Sequence, residues 1–473
     1  ENGWPSGFCG GKLLENESFR ARFLEYKAGD YDESAFAVFI RDEKRGFVRV
    51  TNKKDGAGEY HNVYLRVSPA NTDILNPAVT EAFIAETHEK YYARFKEYFG
   101  KELVGFFTAE FAKNGEDIKD GLIWLFVHDE RGYAFREKYY KTLNDLYVGN
   151  FYGKIYEWCK IHGCLFTGHS VEETALFAQM WGGAAVMPSY EYEDIPAIDR
   201  LGRFCGNDLD IKQVSSVAAQ LGKKRILTES FGCSGYDVTP YELKSIAEFQ
   251  YFGGINVTCQ HLYPYSVAGR GRIDHPPVFG PHGNWNEGFR AFNDYFARLS
   301  YIITNTEEVA TVGVIHPMRD IWLDYIRDED YESVKRTEDD FNAFLTVLRN
   351  NGVCYQFIDE SIAERHGKAN ENLLAIGKCV YDTVILPPLR SISASVYGLL
   401  KDYRGKLCVT NTPEFIDGKR AEASLENNFT LGEVIANREI KFSCADGRSV
   451  MNARKGEIGD FIFIKNTSYY DES

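Results

Sequence analysis

Two glutamates stand where a carboxylate could do chemistry. Val104-Gly105-Phe106-Phe107-Thr108-Ala109-Glu110 and Arg225-Ile226-Leu227-Thr228-Glu229 are short apolar runs, each closing on an acid. A buried strand that delivers a titratable group at its end holds that group on a rigid base. Two such carboxylates facing one another suit cleavage of a glycosidic bond, one protonating the leaving oxygen while the other attacks the anomeric carbon. Taken singly, a glutamate at a strand end is more often a surface or capping residue. Only the joint placement of Glu110 and Glu229 brings the catalytic reading level with the bland one. The aromatic share of 15% is compatible with both readings, because flat rings fill cores as readily as they stack on sugars.

The elements that must position these residues follow from periodicity. Residues 19–68 give short β-rich runs separated by Gly/Asp/Lys turns, the spacing of an antiparallel meander. Residues 78–99 are helical in period and 103–108 form a compact strand. A helical stretch over 133–161 leads into a strand at 164–167. There follow a helix near 171–181, a strand at 195–201, a helix at 209–221, a strand at 225–228, a helix at 239–252 and a strand at 255–261. Strands alternating with helices imply parallel βαβ units. Polar residues gather just after the strands, as on the functional face of a (β/α)8 TIM barrel. Five such strands are visible, and a closed barrel needs three more, expected ahead of residue 1. After residue 305 the pattern restarts with Val309–Ile315, then a helix at 338–350, strands at 354–358, 383–386 and 406–410, and a helix at 394–402. This is a second, smaller α/β sheet. Its first turn, His316-Pro317-Met318, has no Gly-rich phosphate loop, which argues against a nucleotide site. The run 460–464 reads as the first strand of a further β domain.

Bulk properties exclude other classes. A net charge of −15 is opposite to the basic patch of a nucleic-acid binder. No apolar run approaches the ~20 residues of a membrane span. The ten cysteines lack zinc-ribbon spacing and read as reduced, mostly buried thiols, which favours a cytoplasmic setting without fixing it.

The chain resembles a group of bacterial glycoside hydrolases with a clan A type barrel, similar to glycoside hydrolase family 42 in carrying a flavodoxin-like trimerisation domain after it. The stretches that carry the resemblance are Glu1-Asn2-Gly3-Trp4-Pro5-Ser6-Gly7, Gly105 to Glu110, Thr167-Gly168-His169, Asp194 to Asp199, Thr228 to Asp237, His261 to Ser266, and Pro281-His282-Gly283-Asn284-Trp285. They span nearly all of residues 1–420. The resemblance implies a partial catalytic barrel over 1–305 with a β-rich insertion at 19–68. A flavodoxin-like domain would follow over 306–425, then a linker and the start of a further β domain over 426–473. It also implies Glu110 as acid/base and Glu229 as nucleophile, a carbohydrate substrate, no cofactor or metal, and self-association of the intact protein. One departure stands out. Such relatives read Thr-Asp-Glu-Pro at the fourth strand, whereas this chain reads Thr108-Ala109-Glu110-Phe111, and Ala109 cannot hydrogen-bond a sugar.

Trp4, His169, Glu172, Glu173, His261, Tyr263, Tyr265 and Trp285 complete the candidate site as substrate contacts. Each has a plainer alternative. His169 also fits a satisfied histidine at a rim, and Glu172 and Glu173 fit the first turn of a helix, where acids favour the dipole. Trp285 lies in a Gly/Pro/Asn-rich loop with no evident core role. The leading expectation is a retaining glycosidase. A catalytically inactive carbohydrate-binding or assembly subunit and an α-L-rhamnosidase-like inverting enzyme are the competing ones.

Overall fold

The computed structural model describes residues 11–53, 58–99, 105–109, 119–170, 173–203, 205–273, 275–283, 285–327, 329, 331–438, 440–442 and 449–466, with 105–109 as backbone only. The chain is a mixed α/β protein. Trp4, Glu110 and Glu172 lie outside the described residues.

The β-rich start forms one antiparallel sheet of β1 (Arg20–Gly29), β2 (Ala37–Asp42), β3 (Gly46–Val50) and β4 (Tyr60–Thr72). Its lateral order is β1-β4-β2-β3, not the predicted meander. Turn spacing marks where strands end but says nothing about which strands lie side by side. Here a buried asparagine decides. Asn62 of β4 donates to the Asp30 carbonyl (2.8 Å) and accepts from the Asp32 amide (3.2 Å), tying the β1–β2 connection across β4. The predicted helix over 78–99 is two, α1 (Pro77–Glu86) and α2 (His88–Phe95). The break is at Thr87, whose hydroxyl donates to the Phe83 carbonyl at 2.6 Å.

Five parallel strands follow in sequential order: β5 (Gly105–Ala109), β6 (Leu165–His169), β7 (Ile195–Arg200), β8 (Leu227–Ser230) and β9 (Val257–Gln260). The crossovers include α3 (Tyr133–Tyr147) and α4 (Lys154–Ile161), joined by a π-helical turn over Val148–Gly153. They also include α5 (Leu209–Leu221) and α6 (Pro240–Phe252). The helix predicted near 171–181 is absent from the described part of that segment, which carries one short 3₁₀ turn, Ala178–Trp181, with a second, Met187–Tyr192, beyond it. Its backbone donors are taken by side chains instead. Glu338 accepts from the amides of Leu176 (3.1 Å) and Phe177 (3.0 Å), and Gln179 accepts from Val186 (3.1 Å). Local helical periodicity cannot foresee acceptors that arrive from 160 residues away.

After α7 (Phe289–Thr304) and β10 (Glu307–Glu308), a second parallel sheet is built from β11 (Val312–Ile315), α8 (Met318–Asp324), α9 (Tyr331–Asn350), β12 (Tyr355–Ile358) and α10 (Glu360–His366). A small antiparallel sheet of β13 (Gly367–Asn370), β14 (Leu373–Ile376) and β15 (Cys379–Tyr381), unforeseen in the sequence, precedes β16 (Thr383–Leu386). Then come β17 (Ser391–Ile392), α11 (Ala394–Asp402), β18 (Lys406–Val409), β19 (Phe415–Ile416), β20 (Lys419–Arg420) and α12 (Leu431–Ala436). The parallel order is β12-β11-β16-β18, so the apolar β11 is interior, as its composition requires. The closing strands β21 (Ser449–Gly456) and β22 (Gly459–Asn466) form a hairpin that pairs with β10.

Helix α5 joins the two parallel sheets, and that explains why it is buried nearly all round. Toward the first sheet, Gln213 donates to the Glu173 carbonyl (3.0 Å). Toward the second, Ser216 accepts from the Phe357 amide (2.9 Å), and Gln220 donates to the Phe357 carbonyl (2.8 Å). Among the described residues no helix is long and apolar enough to cross a membrane.

Candidate active site

Strand β8 sets the geometry. Side chains alternate along it. Thr228 and Ser230 face α6, where Ser230 donates to Gln250 at 3.1 Å. Glu229 therefore points to the opposite face, at the C-terminal end of the parallel strands, with its side chain 17% exposed. It lies in register with Asp199 of β7 and Cys259 of β9. The chain turns sharply just beyond, through Phe231 and Cys233 in left-handed conformations (φ 80° and 61°). Burial of Phe231 against Phe279 and Phe292 holds that turn.

Two imidazoles hold the Glu229 carboxylate. His169, the last residue of β6 and 3% exposed, places Nε2 at 3.0 Å from Oε2. Its Nδ1 lies 2.7 Å from the Ser170 carbonyl. A carbonyl only accepts, so Nδ1 carries a proton; Nε2 faces a carboxylate and carries one too. His169 is then an imidazolium. Burial works against that charge, but Glu229, Glu173, Asp199 and the Ser170 carbonyl outweigh it and push the ring up to about 10. On the other side, His261 Nε2 stands 3.7 Å from Glu229 Oε1. Glu229 responds as expected. The His169 hydrogen bond holds its carboxyl below the usual range, against burial, with the charges of His169, His261 and His275 helping. The result is an ionised carboxylate aimed by its neighbours, able to act as a nucleophile or as a base.

The other candidates separate in space. Glu173 is fully buried behind the strand ends, where it accepts from the amides of Ser170 (2.8 Å) and Asp199 (3.1 Å). Burial pushes its carboxyl well above the usual range. It orders the β6 and β7 ends, and its side chain is buried where the sequence reading had it facing a sugar. No helix starts at Glu173 in the described residues. Trp285 is half-buried, its ring centre 6.2 Å from that of Phe279, and it packs against the core. Tyr263 and Tyr265 are exposed, Tyr265 completely, on the segment that follows His261. The backbone of Ala109, at the end of β5, pairs in register with His169.

Two groups that sequence reasoning did not single out border the site. Asp199 Oδ2 lies 4.0 Å from His169 Nδ1. Its signals were its place near the end of a predicted strand and within the Asp194–Asp199 stretch. His275 has its ring 5.5 Å from that of His261 and Nδ1 2.8 Å from Cys233 Sγ. It lies in an irregular segment, where no periodicity could flag it. Among the described residues no group of three His, Cys, Asp or Glu is arranged to hold a metal ion.

No family model matches the chain. The "Putative beta-glucuronidase" of Formosa agariphila is 32% identical over 183 residues, 37% of this chain and 15% of that protein. Among solved structures, the rhamnosidase of Novosphingobium sp. PP1Y aligns with a TM-score of 0.62 at 16% identity, over 90% of this chain and 47% of its own. A GH42 beta-galactosidase from G. stearothermophilus aligns with a TM-score of 0.49 at 10% identity, over 84% of this chain and 64% of its own. The chain thus spans about half the length of the rhamnosidase, whose fold it shares, and a far smaller part of the curated relative. All three are glycosidases by name.

Proposed function

We propose that the chain carries the catalytic unit of a glycoside hydrolase that cleaves an oligosaccharide, with Glu229 as the carboxylate that acts at the anomeric carbon. The observation that carries this reading is the clamp on Glu229. A partly exposed acid at a parallel-strand end, kept ionised by the His169 imidazolium and flanked by His261, has the charge state and the fixed direction a nucleophile needs. The fold shared with a rhamnosidase and the glycosidase names of the relatives support the same class. In this proposal residues 1–305 belong to a (β/α)8 barrel, of which β5–β9 are five strands. Residues 306–425 form a flavodoxin-like unit that takes part in contacts between copies of the intact protein.

The mechanism we favour is retaining. Glu110, the residue after Ala109 at the end of β5, protonates the departing oxygen while Glu229 attacks, forming a glycosyl ester. Water, deprotonated by Glu110, then releases the sugar and returns Glu229 to its ionised state. The His169 imidazolium favours that return, because it stabilises the carboxylate as a leaving group. The two carboxyls would stand ~5–5.5 Å apart. The fold likeness to the rhamnosidase favours a second reading, an α-L-rhamnosidase-like inverting enzyme. There Glu229 would be a general base on water, with carboxyls ~6.5–9.5 Å apart.

The test is to screen the full-length protein against aryl glycosides and follow the first-formed anomer by proton NMR. Retention supports the nucleophile role and inversion the base role. If no glycoside is turned over under any condition, the chain is a binding or assembly subunit, the outcome Ala109 would explain.

A further inference from the structure

Glu173 is a buried acid that the chemistry proposed at Glu229 leaves unused, yet its partners lead to that chemistry. Oε1 accepts from the Ser170 amide (2.8 Å) and Oε2 from the Asp199 amide (3.1 Å). Ser170 follows β6 and Asp199 lies in β7. Each supplies an oxygen on the Nδ1 side of His169, the Ser170 carbonyl at 2.7 Å and Asp199 Oδ2 at 4.0 Å. One carboxylate thus holds, by their backbones, both of these groups. At the other end of the same ring, Nε2 meets Glu229 Oε2 at 3.0 Å.

The charges fit this arrangement. Both oxygens of Glu173 take an N–H, which suits an ionised carboxylate, a group that only accepts. Burial opposes that charge, while the His169 imidazolium and the Asp199 amide favour it. Its other titratable neighbours are Asp199, Asp210, Glu193, Tyr147 and Tyr190, so His169 is the cation of the group. In return the Glu173 charge helps to keep the ring protonated. The direction of an imidazole and the protons it carries are set by what its second nitrogen meets. Glu338 of α9 offers a matched contrast. It is also buried and also accepts from two amides, but these belong to Leu176 and Phe177 rather than to residues around His169.

We propose that Glu173 is a positioning residue for Glu229 that acts through His169. It fixes the Ser170 carbonyl and the Asp199 carboxylate about Nδ1, so that the ring presents a protonated Nε2 to Glu229. The effect on turnover rests on Glu229 being the reactive carboxylate; the hold on His169 does not.

The test is an NMR pH titration of isotope-labelled histidine rings in the full-length protein, with His169→Gln to assign the signal. In the wild type the ring should lose its second proton only at about pH 10. Glu173→Gln keeps the shape, removes the charge and turns an NH2 group on one of the two amides. The His169 midpoint should fall by at least about one pH unit. In the same variant kcat should fall about tenfold or more with KM little changed. Glu338→Gln should lower stability but leave the midpoint and kcat as they are. A midpoint unmoved by Glu173→Gln, or moved equally by Glu338→Gln, overturns the proposal, as does a lowered midpoint with unchanged kcat. A lowered midpoint in a protein whose wild type turns over no glycoside supports the hold on His169 and counts against the catalytic reading alone. Should Glu173→Gln not fold, Asp199→Asn carries the test, because its backbone amide still serves Glu173. Loss of that carboxylate should lower the midpoint by a smaller step, and an unmoved midpoint overturns the proposal.

Discussion

The two parallel sheets are built alike, yet they treat the C-terminal ends of their strands in opposite ways. At the first sheet Glu229 is kept ionised and partly open, with its oxygens turned toward two imidazoles. At the second, the acids that follow β11 and β12 are turned to the protein itself. Asp320, after β11, accepts from the amides of Arg390 (2.7 Å) and Ser391 (2.6 Å). Glu360, after β12, accepts from Ser393 (2.6 Å). Arg319 is enclosed by Glu137, by Glu360 at 3.5 Å and by Asp417 at 3.2 Å. Burial pushes both Glu137 and Asp320 up to about 7; their hydrogen bonds to Arg390 and Ser391 and the Glu137–Arg319 pair tie α3 and α8 to the second sheet. The strand-end position common to parallel sheets makes a reactive site only where the charge is left facing space.

The comparison is broken most severely at Glu229. Glu229→Gln should cut glycoside turnover by at least about 10³-fold, while an amide that still accepts from His169 changes stability by only about 1 kcal/mol. Turnover and urea unfolding measured on the same preparation check this, and wild-type activity would remove Glu229 from the mechanism. The mirror experiment is Arg319→Ala in the second sheet. It leaves Glu137 and Glu360 buried without their cation, and should cost about 3–5 kcal/mol of stability in urea or thermal unfolding.

Next in size is the effect of pH through His169. Its folded value, near 10, is above its ordinary 6.5. The stabilisation it brings is therefore complete below about pH 6.5 and is lost as pH rises through about 10. Glu229 runs the other way. Its depressed carboxyl contributes above its ordinary value of 4.5, and that contribution is lost as pH falls through the folded value. In His169→Gln the alkaline fall in stability should flatten. The acid limb of kcat/KM should also move to higher pH, because Glu229 loses its strongest partner. A pH profile identical to wild type would reduce His169 to packing. The smallest effect is expected at the rim. Tyr265→Ala should change stability by less than about 0.5 kcal/mol, since the residue is fully exposed. A rise in KM at unchanged kcat would identify its ring as a sugar platform, and unchanged kinetics would dismiss it.

Much of this molecule is legible along the chain because its information is local. The strands at 195–200 and 383–386 and the helices at 209–221 and 394–402 follow from apolar period and from their turn and cap residues. Glu229 at a strand end could be read in the same way. The position of β4 between β1 and β2 could not, since Asn62 makes its bonds to residues 30 and 32 positions away in sequence. Nor could the failure of the helix near 171–181, where Glu338 takes the amides.

The chemistry divides along the same line. Residue type and strand register determined that a carboxylate stands at the end of β8 and a histidine at the end of β6. Their meeting, 60 residues apart in the chain, is the work of the parallel sheet alone. So is the difference between Glu229 and Glu173. Both were candidates in the sequence, Glu229 for catalysis and Glu173 as a substrate contact, yet one faces space and the other is buried behind the strands. Protonation state depends on burial and on the charges within a few ångströms, and those neighbours are assembled by tertiary packing, so no local pattern can encode them.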